Sequence, residues 1–549
     1  MRLARLLPAA LLLLASPGTA QDTPAPPTPP AWPTPKLIVV ISVDQFSADL
    51  FAEYRNRFTG GFKRLLDGAV FPAGYQSHAA TETCPGHSTI MTGDRPARTG
   101  IIANDWYDQN GPRPGMIYCS EDERVPGSSF SNYTASDIKL RVPTLGERMK
   151  NADPRVRTVS VAGKDRAAIM MGGHKIDQLW FWRDGKGFIS YGDRAVPASV
   201  KAANAAAEAQ IAKPGPAFVE PAWCKPIDRA IVANGKTVGN GRFARPAKNE
   251  GLWKASPAFD SAIFGLATAM VQDMKLGKGP AIDVLTVGAS ATDYVGHGFG
   301  TEGSEMCIQL ANLDQTLGKF FAMLDKTGVD YVVALTADHG GNDIPERERE
   351  RGMPMAARMD SSVNIRTVGK EVAATLGLEG PLLFGGVNGD IWISNKLSPG
   401  DRDRVRDAAV KRYAANPQVA AVYTKAEIAA APLPAGPPET WSLLQRARAS
   451  FDAERSGDIS IFLKPRITPI APATTPAGTI ATHGSIWDYD RRVPILFWRK
   501  GMAGFEQPLS VETVDIMPTL AALVGFTLAA GDVDGRCLDL DGGQGSTCP

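Results

Sequence analysis

The apolar run Leu37–Val43 (LIVVISV) is continuous and rich in β-branched residues rather than alternating. Such a run predicts an inner strand of a parallel sheet, buried on both faces. Similar runs recur at Val156–Val161, Val284–Gly288, Tyr331–Thr336 and Val493–Trp498. Helical periodicity separates them, notably over Pro257–Leu276, Met306–Leu324, Arg402–Ala415 and Val511–Val524. This alternation predicts an α/β fold with a large, mostly parallel central sheet flanked by helices.

Two regions depart from the pattern. Residues 200–256 are rich in Ala, Lys, Gly, Pro and Asn with little periodicity, and are expected to form an irregular insertion. Residues 357–466 carry a separate strand-like series at Leu382–Phe384, Asp390–Ser394, Val419–Tyr423 and Asp458–Leu463. Helical stretches lie among these, so a smaller α+β insertion is expected. Residues 36–549 then form one large domain with insertions, without internal repeats.

The N-terminus has a different character. Arg2 and Arg5 precede an apolar run, Leu6–Ala15, and small residues follow to Ala20. This pattern predicts a signal peptide over residues 1–20. The run is about half the roughly 20 residues needed to span a bilayer, so no membrane span is expected. Residues 21–35 form a Pro-rich leader unable to bury a core. The mature protein is expected in the periplasm or secreted.

Charge adds an exclusion. Lys and Arg total 59 against 58 Asp and Glu, a formal net charge of +1. Removing residues 1–20 takes away two Arg and no acid, leaving −1. No generally basic surface is available for a stable nucleic-acid partner. Six Cys in 549 residues argue against a disulfide scaffold. Cys537 and Cys548 are close enough in sequence to close a modest loop, while Cys119, Cys224 and Cys307 leave the pairing open.

The candidate chemistry sits at strand ends, where open α/β sheets place their sites. Asp44 ends the first strand, Asp293 and His297 follow the third, and Asp338 and His339 follow the fourth. His483 precedes the fifth. Asp293 and His297 share a face if their segment is helical. Three carboxylates and three imidazoles suit two borderline-soft dications, typically zinc. An Asp after a strand is also an ordinary helix cap, so the convergence of the set carries the reading. The segment Ala80–Arg95 (ATETCPGHSTIMTGDR) offers a nucleophile at a helix N-terminus. Thr83 and Cys84 are the main candidates there, and residue chemistry alone does not separate them.

Taken in order, Asp44, Thr83-Cys84-Pro85-Gly86-His87, Gly100–Asn104, Asp293 with His297, Asp338-His339-Gly340 and Thr482-His483-Gly484 resemble the alkaline phosphatase superfamily. Within it they are most similar to the bacterial phosphate-irrepressible type and to exported sphingomonad enzymes with a Thr nucleophile. The resemblance implies Thr83 as nucleophile and as ligand to one zinc held by Asp44, Asp338 and His339. It implies a second zinc held by Asp293, His297 and His483, and Asn104 donating its amide to a phosphoryl oxygen. Lys164 and Arg166 resemble the basic pair of the monoesterases. A terminal phosphoryl group carries more negative charge than a diester, and paired cations favour it.

The implied activity is hydrolysis of small phosphate monoesters through a phosphothreonine. The alternative is a nucleotide pyrophosphatase or phosphodiesterase of the same superfamily. Cys84-Pro85 does not match the Cys-x-Pro-x-Arg pattern of sulfatases. An additional structural Ca2+ is left without assigned residues, and the chain is expected to be a monomer. Asp488 and Asp490 are read as partners of Arg491 or Arg492 before being read as a cation site. Leu179–Trp182 is either a wall of the site or core, and His78, His87 and His174 have structural readings.

Overall fold

The computed structural model describes residues 33–549 apart from positions 193, 387, 474 and 544. The expected signal peptide and residues 21–32 of the leader lie outside the described residues. The strands of the main sheet are β1 (Leu37–Val43), β2 (Ala69–Tyr75), β3 (Thr158–Ala162), β4 (Gln178–Arg183) and β5 (Gly187–Ile189). They continue with β6 (Asp283–Ala289), β7 (Tyr331–Thr336), β8 (Arg492–Arg499), β9 (Phe505–Glu506) and β10 (Val511–Glu512). Their order is β9-β2-β8-β7-β1-β6-β3-β4-β5, with β10 also paired to β2.

The continuous apolar run of β1 is explained by its central place. Val40 lies in register between Thr286 of β6 and Ala334 of β7, both parallel neighbours. Alternate side chains of a strand face opposite ways. Val39, Ile41 and Val43 therefore enter one apolar cluster, with Phe46, Phe62 and Phe321. Ile38 and Val40 enter another on the opposite face, with Phe71, Ile495 and Phe497. Neither face reaches water, so the run does not alternate, and Ser42 is its one polar residue.

Direction within the sheet matters for function. Strands β1, β3, β6 and β7 are mutually parallel, so their C-terminal ends share one edge. β8 runs antiparallel to both β7 and β2. The strand expected at 493–498 thus exists but is reversed. Its reversal brings the residues before it, including His483, to the edge where the parallel strands end. β2 runs in the same direction as β7, so its own exit also reaches that edge.

Most expected helices lie within a few residues of their bounds, at Pro257–Met274, Ser304–Thr327 and Pro399–Ala414. The helix expected over Val511–Val524 is shorter, covering Ile516–Leu523. Val511 and Glu512 instead pair with Gly74 and Tyr75, and the edge of β2 captures those residues as strand. Residues 200–256 are less irregular than expected. They include most of a helix at Ala198–Ile211 and a hairpin of Ile231–Ala233 with Lys236–Val238. Asn234 and Gly235 turn that hairpin with φ of 47° and 79°, as a tight primed turn requires.

A second, antiparallel sheet occupies the 357–466 region. Its order is Leu383–Gly385, Gly389–Ile393, Ile459–Leu463 and Val419–Thr424. It has its own apolar cluster around Val368, Ile391, Val405, Tyr413 and Ile461. Leu179, Trp180, Phe181 and Trp182 belong to the core along β4, with Trp180 only 1% exposed. Asp488 bridges to Arg491 at 2.8 Å, and Asp490 accepts the Ser485 N–H at 2.8 Å.

All six cysteines pair, as Cys84–Cys119, Cys224–Cys307 and Cys537–Cys548. The second ties the segment around Cys224 to helix Ser304–Thr327 across 83 residues of chain. Replacing both Cys224 and Cys307 by Ala is expected to remove about 2–4 kcal/mol of stability. The check is a lowered denaturation midpoint, with far-UV circular dichroism at 25 °C unchanged.

Candidate active site

Three helices begin just past strand exits: α1 (Thr83–Thr92) after β2, α2 (Asp165–Gly172) after β3 and α3 (Ala291–Phe299) after β6. Glu82 is extended, with φ −121° and ψ 162°, and α1 starts at Thr83. Pro85 falls in the first turn, where its missing N–H costs nothing. A Cβ on Gly86 would collide with the Asp338 carbonyl, so only glycine lets α1 press against the end of β7.

These exits bring every predicted site residue to one place. The Thr83 hydroxyl is buried and lies 3.4 Å from the Lys164 ammonium and 3.3 Å from the Arg166 guanidinium. Lys164 Nζ also reaches Asp44 Oδ2 at 2.7 Å and Asp293 Oδ2 at 2.5 Å. His297 Nε2 and His483 Nε2 lie 3.3 and 3.4 Å from Asp293 Oδ1. His339 Nε2 lies 3.3 Å from Asp338 Oδ2 and 3.5 Å from Asp44 Oδ1. The rings of His339 and His483 stack with centroids 3.6 Å apart.

The backbone sets the histidine tautomers. Nδ1 of His297, His339 and His483 each lies 2.8 Å from a carbonyl oxygen, of Ala481, Gly340 and Thr81 respectively. A carbonyl only accepts, so Nδ1 carries the proton. Nε2 then turns its lone pair toward the carboxylates, which repels them unless a proton or cation lies between. Asp44 Oδ1, Asp293 Oδ1, Asp338 Oδ2 and His339 Nε2 are buried without a hydrogen-bond partner. Ligand atoms of Asp44, Asp338 and His339 lie within 4.8 Å of one another, as do those of Asp293, His339 and His483. Oxygen and nitrogen donors left facing each other in this way fit divalent metal ions.

Electrostatics follow from dry surroundings. Burial, reinforced by the charge of Asp338, holds the Asp44 carboxyl well above its usual range. Burial acts the same way on Asp293 and Asp338, but the neighbouring histidines and Lys164 outweigh it and hold both low. Burial lowers His339 to about 3 and also lowers His483. Burial disfavours the Lys164 charge, but Asp293 and Asp44 more than restore it. Two cations therefore stand beside the Thr83 hydroxyl.

The surrounding residues refine the picture. Cys84 is bonded to Cys119 and offers no free thiol, which leaves Thr83 as the hydroxyl among the cations. Asn104 Oδ1 accepts the Cys84 N–H at 2.8 Å. Arg166 is held by Tyr118, whose hydroxyl donates to Asp165 at 2.9 Å. His87, given only a structural reading from the sequence, lies 3.1 Å from Asp338 Oδ2 and 2.8 Å from the Thr83 carbonyl oxygen. Its i+4 spacing from Thr83 on one helix face was the available signal. His78 is buried with neither ring nitrogen hydrogen-bonded, and His174 lies 2.8 Å from Glu147.

The family model "Type I phosphodiesterase / nucleotide pyrophosphatase" matches residues 38–486. The chain is 55% identical to alkaline phosphatase PhoK of Sphingomonas sp over 94% of its own length and 92% of the relative's. It is 48% identical to alkaline phosphatase PhoD of Zymomonas mobilis, over 94% and 90%. The crystal structure of alkaline phosphatase PafA superposes with a TM-score of 0.79 at 26% identity, covering 92% of this chain and 99% of that one. The chain therefore belongs to the type I phosphodiesterase / nucleotide pyrophosphatase family, and within it is a hydrolase of the alkaline phosphatase kind.

Proposed function

We propose that the protein hydrolyses small phosphate monoesters through a phosphothreonine on Thr83, at a site holding two zinc ions. The observation that carries this reading is the buried Thr83 hydroxyl, with Lys164 and Arg166 both within 3.4 Å of its oxygen. Asp44, Asp338 and His339 would hold one ion, with Thr83 beside it, and Asp293, His297 and His483 the other. When bound, the ions supply Lewis-acid charge that stabilises developing oxyanions.

The chain's own residues account for orientation and charge. Lys164 and Arg166 favour the anionic form of the Thr83 oxygen and neutralise the phosphoryl oxygens. Arg166 adds a planar fork, and Lys164 a compact charge. The Asn104 side-chain N–H groups are available to a third phosphoryl oxygen. Thr83 Oγ1 forms a bond to phosphorus as the ester oxygen departs in line. Water then attacks from the vacated side, releasing phosphate and restoring the hydroxyl. The two cations fit a doubly charged monoester better than a singly charged diester, and this favours monoesterase over the phosphodiesterase named by the family model. Export to the periplasm or medium, as the N-terminal sequence predicts, completes the proposal. Among the described residues no helix is long and apolar enough to cross a membrane.

Thr83→Ala is expected to lower turnover by about 10⁴-fold or more, with zinc content unchanged. Rapid quench with labelled substrate should trap phosphate on Thr83 in the parent; label on a serine instead would overturn the assignment. Replacing Lys164 and Arg166 together by Ala should reduce kcat/KM on a monoester at least about tenfold more than on a matched diester. Equal losses would favour the diesterase reading. Chelation should abolish hydrolysis, and elemental analysis with zinc add-back should restore it at about two ions per chain.

A further inference from the structure

The disulfide nearest the nucleophile is placed unlike the other two. Cys84 directly follows Thr83 in α1, and Cys119 directly follows the strand Gly115–Tyr118. That strand pairs antiparallel with Asp105–Asp108, with Tyr118 opposite Asp105. The hairpin therefore starts immediately after Asn104 and ends immediately before Cys119. It carries two groups of the site: Asn104 at its entrance, and Tyr118, whose hydroxyl accepts from Arg166 at 3.3 Å.

Asn104 is pinned at three points. Its backbone N–H donates to Glu82 Oε2 at 2.6 Å. Its backbone carbonyl accepts the Cys119 N–H at 2.9 Å. Its side-chain oxygen accepts the Cys84 N–H at 2.8 Å. A backbone N–H needs an acceptor, so the Asn104 oxygen must face Cys84 and the NH2 must face away. Two of the three partners are the cysteines of one disulfide, and both are fully buried. The third, Glu82, precedes the nucleophile.

We infer that the Cys84–Cys119 disulfide is a positioning element for phosphate binding, fixing the Asn104 amide relative to the Thr83 hydroxyl. The inference rests on the reading of Asn104 as a phosphoryl-oxygen donor. Without the bond, the hairpin and the first turn of α1 remain joined by the hydrogen bonds of Asn104 and by apolar packing in the cluster that holds Cys84, Trp106 and Ile117, contacts that can shift together. An orientation error of about 1 Å at a reacting centre is sufficient for up to 10²-fold loss of rate.

The test is a double-mutant cycle on the zinc-loaded enzyme. The backgrounds are wild type and Asn104→Ala, each with and without the pair Cys84→Ala/Cys119→Ala. The readouts are kcat/KM on a monoester and the inhibition constant of inorganic phosphate. Positioning predicts that disulfide loss weakens phosphate inhibition and lowers kcat/KM by about tenfold in the wild type, but by less than about twofold in the Asn104→Ala background. An equal loss in both backgrounds, or none in the wild type, overturns the inference. If Asn104→Ala alone leaves phosphate inhibition unchanged, the reading of Asn104 fails instead. If the Ala pair does not fold, the better-filled Cys84→Ala/Cys119→Val pair enters the same cycle. Cys537→Ala/Cys548→Ala is the control disulfide and should leave both readouts unchanged.

Discussion

Three carboxylates buried side by side are the constraint that organises this molecule. Asp44, Asp293 and Asp338 sit at 1% exposure or less, where unbalanced negative charge is costly. Lys164 bridges two of them, and three imidazoles turn their lone pairs toward the same space. The protein holds this arrangement because a rigid sheet edge leaves the side chains no exit to water. Divalent cations would complete such a set, and under the proposed function they would leave a net charge favourable to an anion.

The sheet accomplishes this through strand direction. Parallel strands deliver Asp44, Lys164, Asp293 and Asp338 from widely separated parts of the chain to one edge. The reversed strand β8 lets a segment preceding it supply His483 at the same edge. The first turn of α1 approaches because Gly86 has no side chain to strike Asp338. Apolar packing on both faces of the sheet keeps these elements from shifting. Precision at the site is therefore a property of the core.

A second layer of contacts holds the candidate catalytic residues. Backbone carbonyls fix three histidine tautomers, and Tyr118 with Asp165 steadies Arg166. His87 spans the Thr83 carbonyl and the Asp338 carboxylate, coupling helix α1 to a candidate ligand. The pinning of Asn104 by residues 82, 84 and 119 belongs to the same logic.

The central strands were legible because burial on both faces leaves an unbroken apolar run in the sequence. The Asp and His positions were legible for a related reason: they sit where those runs stop. The hairpin at 231–238 was signalled by Asn234-Gly235, a turn pair hidden within a stretch of weak periodicity. The strand at Val511–Glu512 had no such signal, since pairing with β2 overrode a helical pattern. His87 and the choice between Thr83 and Cys84 also depended on distant partners, Asp338 and Cys119. By itself, then, the sequence determined the α/β class and the residue types that converge, because hydrophobic period and strand-end chemistry are local. Only the tertiary structure decided the reversal of β8, the Cys84–Cys119 and Cys224–Cys307 pairs and the orientation of each imidazole, because those depend on which segments the fold brings together and not on local pattern.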